Sequence, residues 1–127
     1  MFELALHYGE GPVPLHEVAK NEGLSEHYLE QLIAPLRRSG LVTSVRGAYG
    51  GYMLARDPSK ITVGDVIRIL EGPIAPVECV TEEIDYVCER SDKCVTHRIW
   101  KDVRDSITGV VDSISLQDLC QQERKIN

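Results

Sequence analysis

The chain has 127 residues, of which 43% are hydrophobic and 27% charged, and a formal net charge of −6. That length supports one domain with a modest core, and no apolar run of spanning length or basic-then-apolar leader is present, so a cytoplasmic protein without a membrane partner is expected. The acidic total argues against a generic polyanion binder, and four cysteines in a reducing compartment point to metal or redox chemistry rather than disulfides.

Phe2 to His7 reads as a helix that Gly9, Gly11 and Pro12 break. No capping residue precedes it, so a truncated or late-starting N-terminus is expected. Leu15 to Asn21 is a short helix with Pro14 in its first turn, and Gly23 permits a tight turn. Ser25 is a good N-cap for a helix running to about Ser39 and closed by Gly40, with Leu29, Leu32, Ile33 and Leu36 forming its apolar stripe. Pro35 removes the bond to the Gln31 carbonyl and is expected to kink the last turn or end the straight part of the helix.

Leu41 to Val45 alternates apolar and polar residues, RGAYGGY at 46–52 is glycine-rich, and Tyr52 to Leu54 returns as a second strand, giving a β-hairpin. Thr62 opens another helix, with Asp65 placed to return a capping contact, and Gly72–Pro73 ends it. From about Asp92 to Val111 a long helix carries Ile99, Val103, Ile107, Val110 and Ile114 at spacings of four, four, three and four. Ser115 caps a last short helix bearing Leu116 and Leu119. The expected fold is therefore mainly α with a small β-hairpin. Residues 1–72 form a winged helix-turn-helix head, 73–91 a ligand-binding loop, and 92–127 a long dimerisation helix with a short C-terminal helix.

Charge is unevenly spread. Residues 33–56 hold Arg37, Arg38, Arg46 and Arg56 and no acid, whereas residues 71–92 hold seven acids against Arg90 alone. Because salt screens charges beyond about 10 Å, such a basic face can contact phosphate on an acidic molecule. The recognition helix would present Ser25, Glu26, His27, Tyr28, Glu30 and Gln31, with Gln31 suited to adenine and Glu30 to the cytosine amine. In the wing, Arg46 would enter a minor groove, Gly50 and Gly51 would let the backbone approach phosphate, Gly47 would join the DNA-facing residues, and Tyr49 would reach sugar-phosphate. Tyr52 is expected to pack instead.

Cys79-x8-Cys88-x5-Cys94-x2-His97 sets three soft thiolates and one imidazole in one short segment, a donor set for an iron–sulfur cluster or zinc. The spacing lacks the CxxC knuckle of a zinc finger, and Cys94 and His97 would share one side of a helix start. Cys120 lies apart and reads as a small buried hydrophobe. No nucleophile–base set or glycine-rich nucleotide loop marks an enzyme.

The segments SEHYLEQLIAPLRRSGLVTSVRGAYGGYML, VGDVIRILEG and CxxxxxCxxHxxW closely resemble IscR-type iron–sulfur cluster regulators, in the same superfamily as the cysteine-metabolism repressor CymR, which shares the head but not the cysteines. The resemblance spans nearly the whole chain. It implies a [2Fe–2S] cluster held by Cys79, Cys88, Cys94 and His97, base-contacting or site-discriminating roles for Glu30 and Arg46, and control of iron–sulfur cluster biogenesis genes. Two departures from that pattern are a longer gap between Cys79 and Cys88 and the lack of the usual basic, hydroxyl-rich N-terminal stretch. The resemblance also implies a homodimer on a pseudo-palindromic operator in double-stranded DNA. The stripe Ile99, Val103, Ile107, Val110 and Ile114, braced by Trp100, supports that independently, since one small head could hardly bury it. The rival expectations are the same fold with zinc or a four-iron cluster, sensing nitric oxide, redox state or cysteine metabolism, and a small iron–sulfur electron carrier.

Overall fold

A computed structural model of the protein describes residues 1–76, 80 and 95–126. In chain order it places α1 (Phe2–Leu6), α2 (Leu15–Glu22), α3 (Glu26–Arg38), β1 (Val42–Val45), β2 (Gly51–Leu54), a 3₁₀ turn (Pro58–Lys60), α4 (Val63–Glu71), α5 (His97–Ser113) and α6 (Leu116–Ile126). No helix among the described residues is long and apolar enough to cross a membrane.

The corner between α2 and α3 is set by two residues. Gly23 takes the left-handed conformation at φ 66° and ψ 31°, and its N–H and that of Leu24 return to the Ala19 carbonyl. A side chain would make that conformation unfavourable by about 1–2 kcal/mol. Ser25 then extends the backbone, and its Oγ accepts the Tyr28 N–H at 3.1 Å, opening α3. α3 runs through Pro35 and continues to Arg38. The proline sits in the last turns, and the helix closes just beyond it: Gly40, at φ 88°, donates to the Arg37 carbonyl at 3.1 Å, and Leu41 to the Leu36 carbonyl at 3.2 Å.

The hairpin pairs Val42 with Leu54 through Val45 with Gly51. Val13, between α1 and α2, extends this sheet by exchanging backbone bonds with Tyr52 at 2.8 and 2.9 Å. The approach is close enough that a Cβ on Gly51 would collide with the Val13 carbonyl. Gly51→Ala is therefore expected to destabilise the fold by about 1–3 kcal/mol, read as a lower urea midpoint at unchanged slope. An unshifted midpoint would contradict the bridge.

The core gathers Leu4 of α1, Val18 of α2, Leu36 of α3, Val42 and Leu54 of the hairpin, and Ile61. Leu116 and Cys120 of α6 complete it. Thus α6, which by sequence follows the long helix, folds back onto α1 and the 3₁₀ turn. The return is fixed at the start of α4. Thr62 and Asp65 form a reciprocal capping box at 3.0 Å each way, and Ser115 and Asp118 form a second at 2.9 and 3.1 Å. These two caps are joined by backbone bonds of 2.9 Å from Val63 N–H to the Ile114 carbonyl and from Leu116 N–H to the Ile61 carbonyl.

α5 runs along α4 with no residue fully buried, and its C-terminal end is tied to the head through Ile114. Two boundaries differ from expectation. Val95 and Thr96 form a turn, so α5 starts at His97 rather than near Asp92, and Asp92 itself lies outside the described residues. At the other end Ile114 is beyond the helix, because its carbonyl is taken up by Val63.

Candidate nucleic-acid interface and metal centre

Leu29 and Leu36 face the core and Leu32 and Ile33 pack against it, which leaves the opposite arc of α3 to solvent. That arc carries Glu26, His27, Tyr28, Glu30 and Gln31, all exposed. Gln31 Nε2 lies 3.3 Å from His27 Nε2, within reach for an amide N–H to be donated to the ring nitrogen, and both side chains are exposed. Ser25 uses its oxygen as the helix cap, and its own hydroxyl proton can still be donated to a phosphate. Arg37 and Arg38 are exposed on the last turn.

In the wing, Arg46, Gly47 and Tyr49 are exposed, and Tyr49 is 95% accessible at the tip. Gly47 at φ 117° receives the Gly50 N–H at 3.1 Å, closing the turn. A Cβ on Gly50 would strike the Val45 carbonyl, so that glycine is required by the turn's own geometry. Tyr52 packs against the core, as its position in the hairpin led one to expect.

Cys79, Cys88 and Cys94 lie outside the described residues. Of the expected ligand set, the structure places His97, the first residue of α5. Its Nδ1 is buried and has no hydrogen-bond partner among the described residues. An unmet buried polar atom costs about 1–3 kcal/mol, and a ligand bond would relieve it. The chemistry of the full donor set, three thiols and this imidazole, fits a cluster or zinc. The described residues alone contain no group of three metal-binding side chains. Next to Cys79 in sequence, Val80 is 2% exposed, and its carbonyl accepts from Arg104 Nη1 of α5 at 3.3 Å. Cys120 is a free, buried thiol whose pKa burial pushes up, in keeping with a packing role.

On α5, Ile99, Trp100, Val103, Ile107 and Val110 are all exposed, Ile99 and Val110 by 57% and 58%. One contact of this helix was not foreseen from sequence. The Arg68 guanidinium on α4 grips the Asp112 carboxylate through both oxygens, at 2.6 and 2.8 Å, and holds that carboxyl below its usual range. Its partners are 44 residues apart, and no local pattern announces such a pair.

Comparison with known proteins places these features in a context. Residues 1–122 match a family model described as Rrf2, iron-dependent transcriptional regulator. The chain is 50% identical to the HTH-type transcriptional regulator CymR of Bacillus subtilis, over 94% of this chain and 80% of that protein. It is 42% identical to the HTH-type transcriptional regulator IscR of Photorhabdus laumondii, over 100% of this chain and 76% of that one. Among solved structures, T. potens IscR superposes with a TM-score of 0.80 at 48% identity, covering 99% of this chain and 81% of that one. The B. subtilis global cysteine regulator CymR gives 0.78 at 49% identity, covering 95% and 87%.

Proposed function

The chain belongs to the Rrf2 family of transcriptional regulators, and from that premise we propose that it works as a homodimer on double-stranded DNA, with occupancy of a [2Fe–2S] cluster tuning which promoters it holds. It is a DNA-binding regulator and not an enzyme. One juxtaposition carries the fuller reading: α3 turns Glu30 and Gln31 outward, while the same chain opens its long helix with an imidazole nitrogen that is buried and has no partner among the described residues.

In this reading α3 lies in the major groove. Gln31, with one amide proton held by His27, offers its remaining proton and its oxygen to an adenine, and Glu30 accepts from a cytosine amine. Arg46 reaches into the adjacent minor groove, where narrow A-rich stretches concentrate negative potential. Two α5 helices pair along Ile99, Val103 and Val110, so the dimer reads a pseudo-palindrome. Cys79, Cys88, Cys94 and His97 would hold the cluster, which when bound supplies one-electron redox chemistry and ties the loop to α5. Arg104 already fixes Val80 to that helix, so the loop is anchored beside the first cysteine. Biasing the head by about 1.4 kcal/mol between the two ligand states would change operator affinity tenfold.

The test is iron and sulfide content of anaerobically prepared protein, followed by titration of holo and apo forms against two operator classes. Equal affinities in both forms would remove the switch. Arg46→Ala should weaken binding and abolish preference for A-rich over G·C-rich flanks, measured by competition with paired operators. A variant keeping that preference would move the wing out of the minor groove. A second reading, regulation of cysteine metabolism through zinc or another cluster, is favoured by the likeness to the B. subtilis global cysteine regulator. A colourless, zinc-loaded protein would select it.

A further inference from the structure

We propose that the Arg68–Asp112 fork, with Gly64 making room for it, sets the angle between head and α5 and so determines which half-site spacing the dimer accepts. The inference rests on the dimeric DNA-reading function proposed above.

Three observations carry it. First, the contact is bidentate, at 2.6 and 2.8 Å, between a planar guanidinium and a planar carboxylate. Two parallel bonds fix rotation as well as distance, which a single lysine contact would not. Second, Gly64 lies one turn before Arg68 on α4 and is buried. Glycine inside a helix is about 0.5–1 kcal/mol less favourable than alanine. Here its lack of a side chain has a use, because a Cβ at residue 64 would run into the Asp112 carboxylate. Third, α5 packs along α4 without any fully buried residue, so no deeply interlocked side chain fixes its direction and the polar fork is the most specific side-chain contact between the two helices. The backbone bonds Val63–Ile114 and Leu116–Ile61 pin its C-terminal end, and Asp112 is gripped two residues before that pin. The pin locates the rod and the fork orients it.

Leverage makes this contact matter. At about 1.5 Å per residue, α5 is roughly 25 Å long, so a swing of about 10° at its base displaces the far end by about 4 Å. That is close to the rise of about 3.4 Å between neighbouring base pairs. In a dimer joined along α5, loosening the fork blurs the register of the two recognition helices by about one base pair. The fork is partly exposed, with side-chain accessibilities of 31% and 42%, so its loss should leave the fold intact.

The experiment measures affinity of the full chain for operators whose half-sites stand at the preferred spacing or one base pair closer or farther, and for a single half-site. The unsubstituted protein should discriminate among spacings by about tenfold. Asp112→Asn, and separately Gly64→Ala, should flatten that discrimination to within about threefold while keeping the single-half-site affinity, the dimer and the melting temperature. The exchange Arg68→Asp with Asp112→Arg should restore part of it. An Asp112→Asn protein with an unaltered spacing profile overturns the proposal. If the unsubstituted protein itself shows no spacing preference, the dimeric reading beneath fails, and the proposal falls with it.

Discussion

Val103→Asp should convert the protein from dimer to monomer and lower its affinity for a two-half-site operator by about a hundredfold or more. Val103 stands in the middle of the α5 stripe, between Ile99 and Ile107, and is exposed in the single chain. Burying one aliphatic side chain against a partner contributes about 1.5–3 kcal/mol, and a two-fold axis counts each residue twice. An aspartate there would instead have to lose its hydration without a counter-charge, at several kcal/mol per copy. Once the subunits separate, the second head no longer benefits from an effective concentration in the millimolar range, which is the origin of the expected loss on DNA. Sedimentation and operator titration check both halves. Because Val103 lies outside the head's core, the head should melt as before. A Val103→Asp protein that stays dimeric would place the interface elsewhere.

The second large effect concerns His97. His97→Ala should reduce iron and sulfide content of anaerobic protein at least tenfold, since even residues that only orient a metal ligand alter affinity by about 10–100-fold. The operator difference between holo and apo protein should vanish with it. His97→Cys separates ligation from shape: it should keep the visible absorption and shift the reduction potential downward, because imidazole in place of thiolate raises the potential of such clusters. Full iron, sulfide and colour in His97→Ala would exclude this residue as a ligand and leave its buried Nδ1 without an explanation.

What could be read from sequence was what is encoded locally. The turn at Gly23 and Ser25, the capping pair Thr62 and Asp65, and the glycine-rich hairpin each depend on residues within a few positions of one another, and each forms as expected. The apolar stripe of α5 was legible for the same reason. Its end was not, because helical spacing continues to Ile114 although the backbone there has turned to meet Val63. The pairing of His27 with Gln31 has helical spacing too, but spacing does not reveal which side chains bond. The docking of α6 on α1 and the fork between Arg68 and Asp112 join distant segments, so no window of sequence contains both partners. Of the candidate ligand set, His97 alone falls within the described residues, and the role of Cys79, Cys88 and Cys94 stays a proposal built on donor chemistry and resemblance.

The return of α6 has a bearing on how the protein is made. Leu116 and Cys120 fill the same core as Leu4 and Ile61, so the head lacks part of its interior until α6 leaves the ribosome. At about 5–20 residues per second, translation from the end of α4 to Cys120 takes roughly 2–10 s, during which the nascent head waits with an open flank. A chain aborted before α6 should therefore be cleared by proteases before it can occupy a promoter, so that copies carrying α6 are the ones that compete for operators.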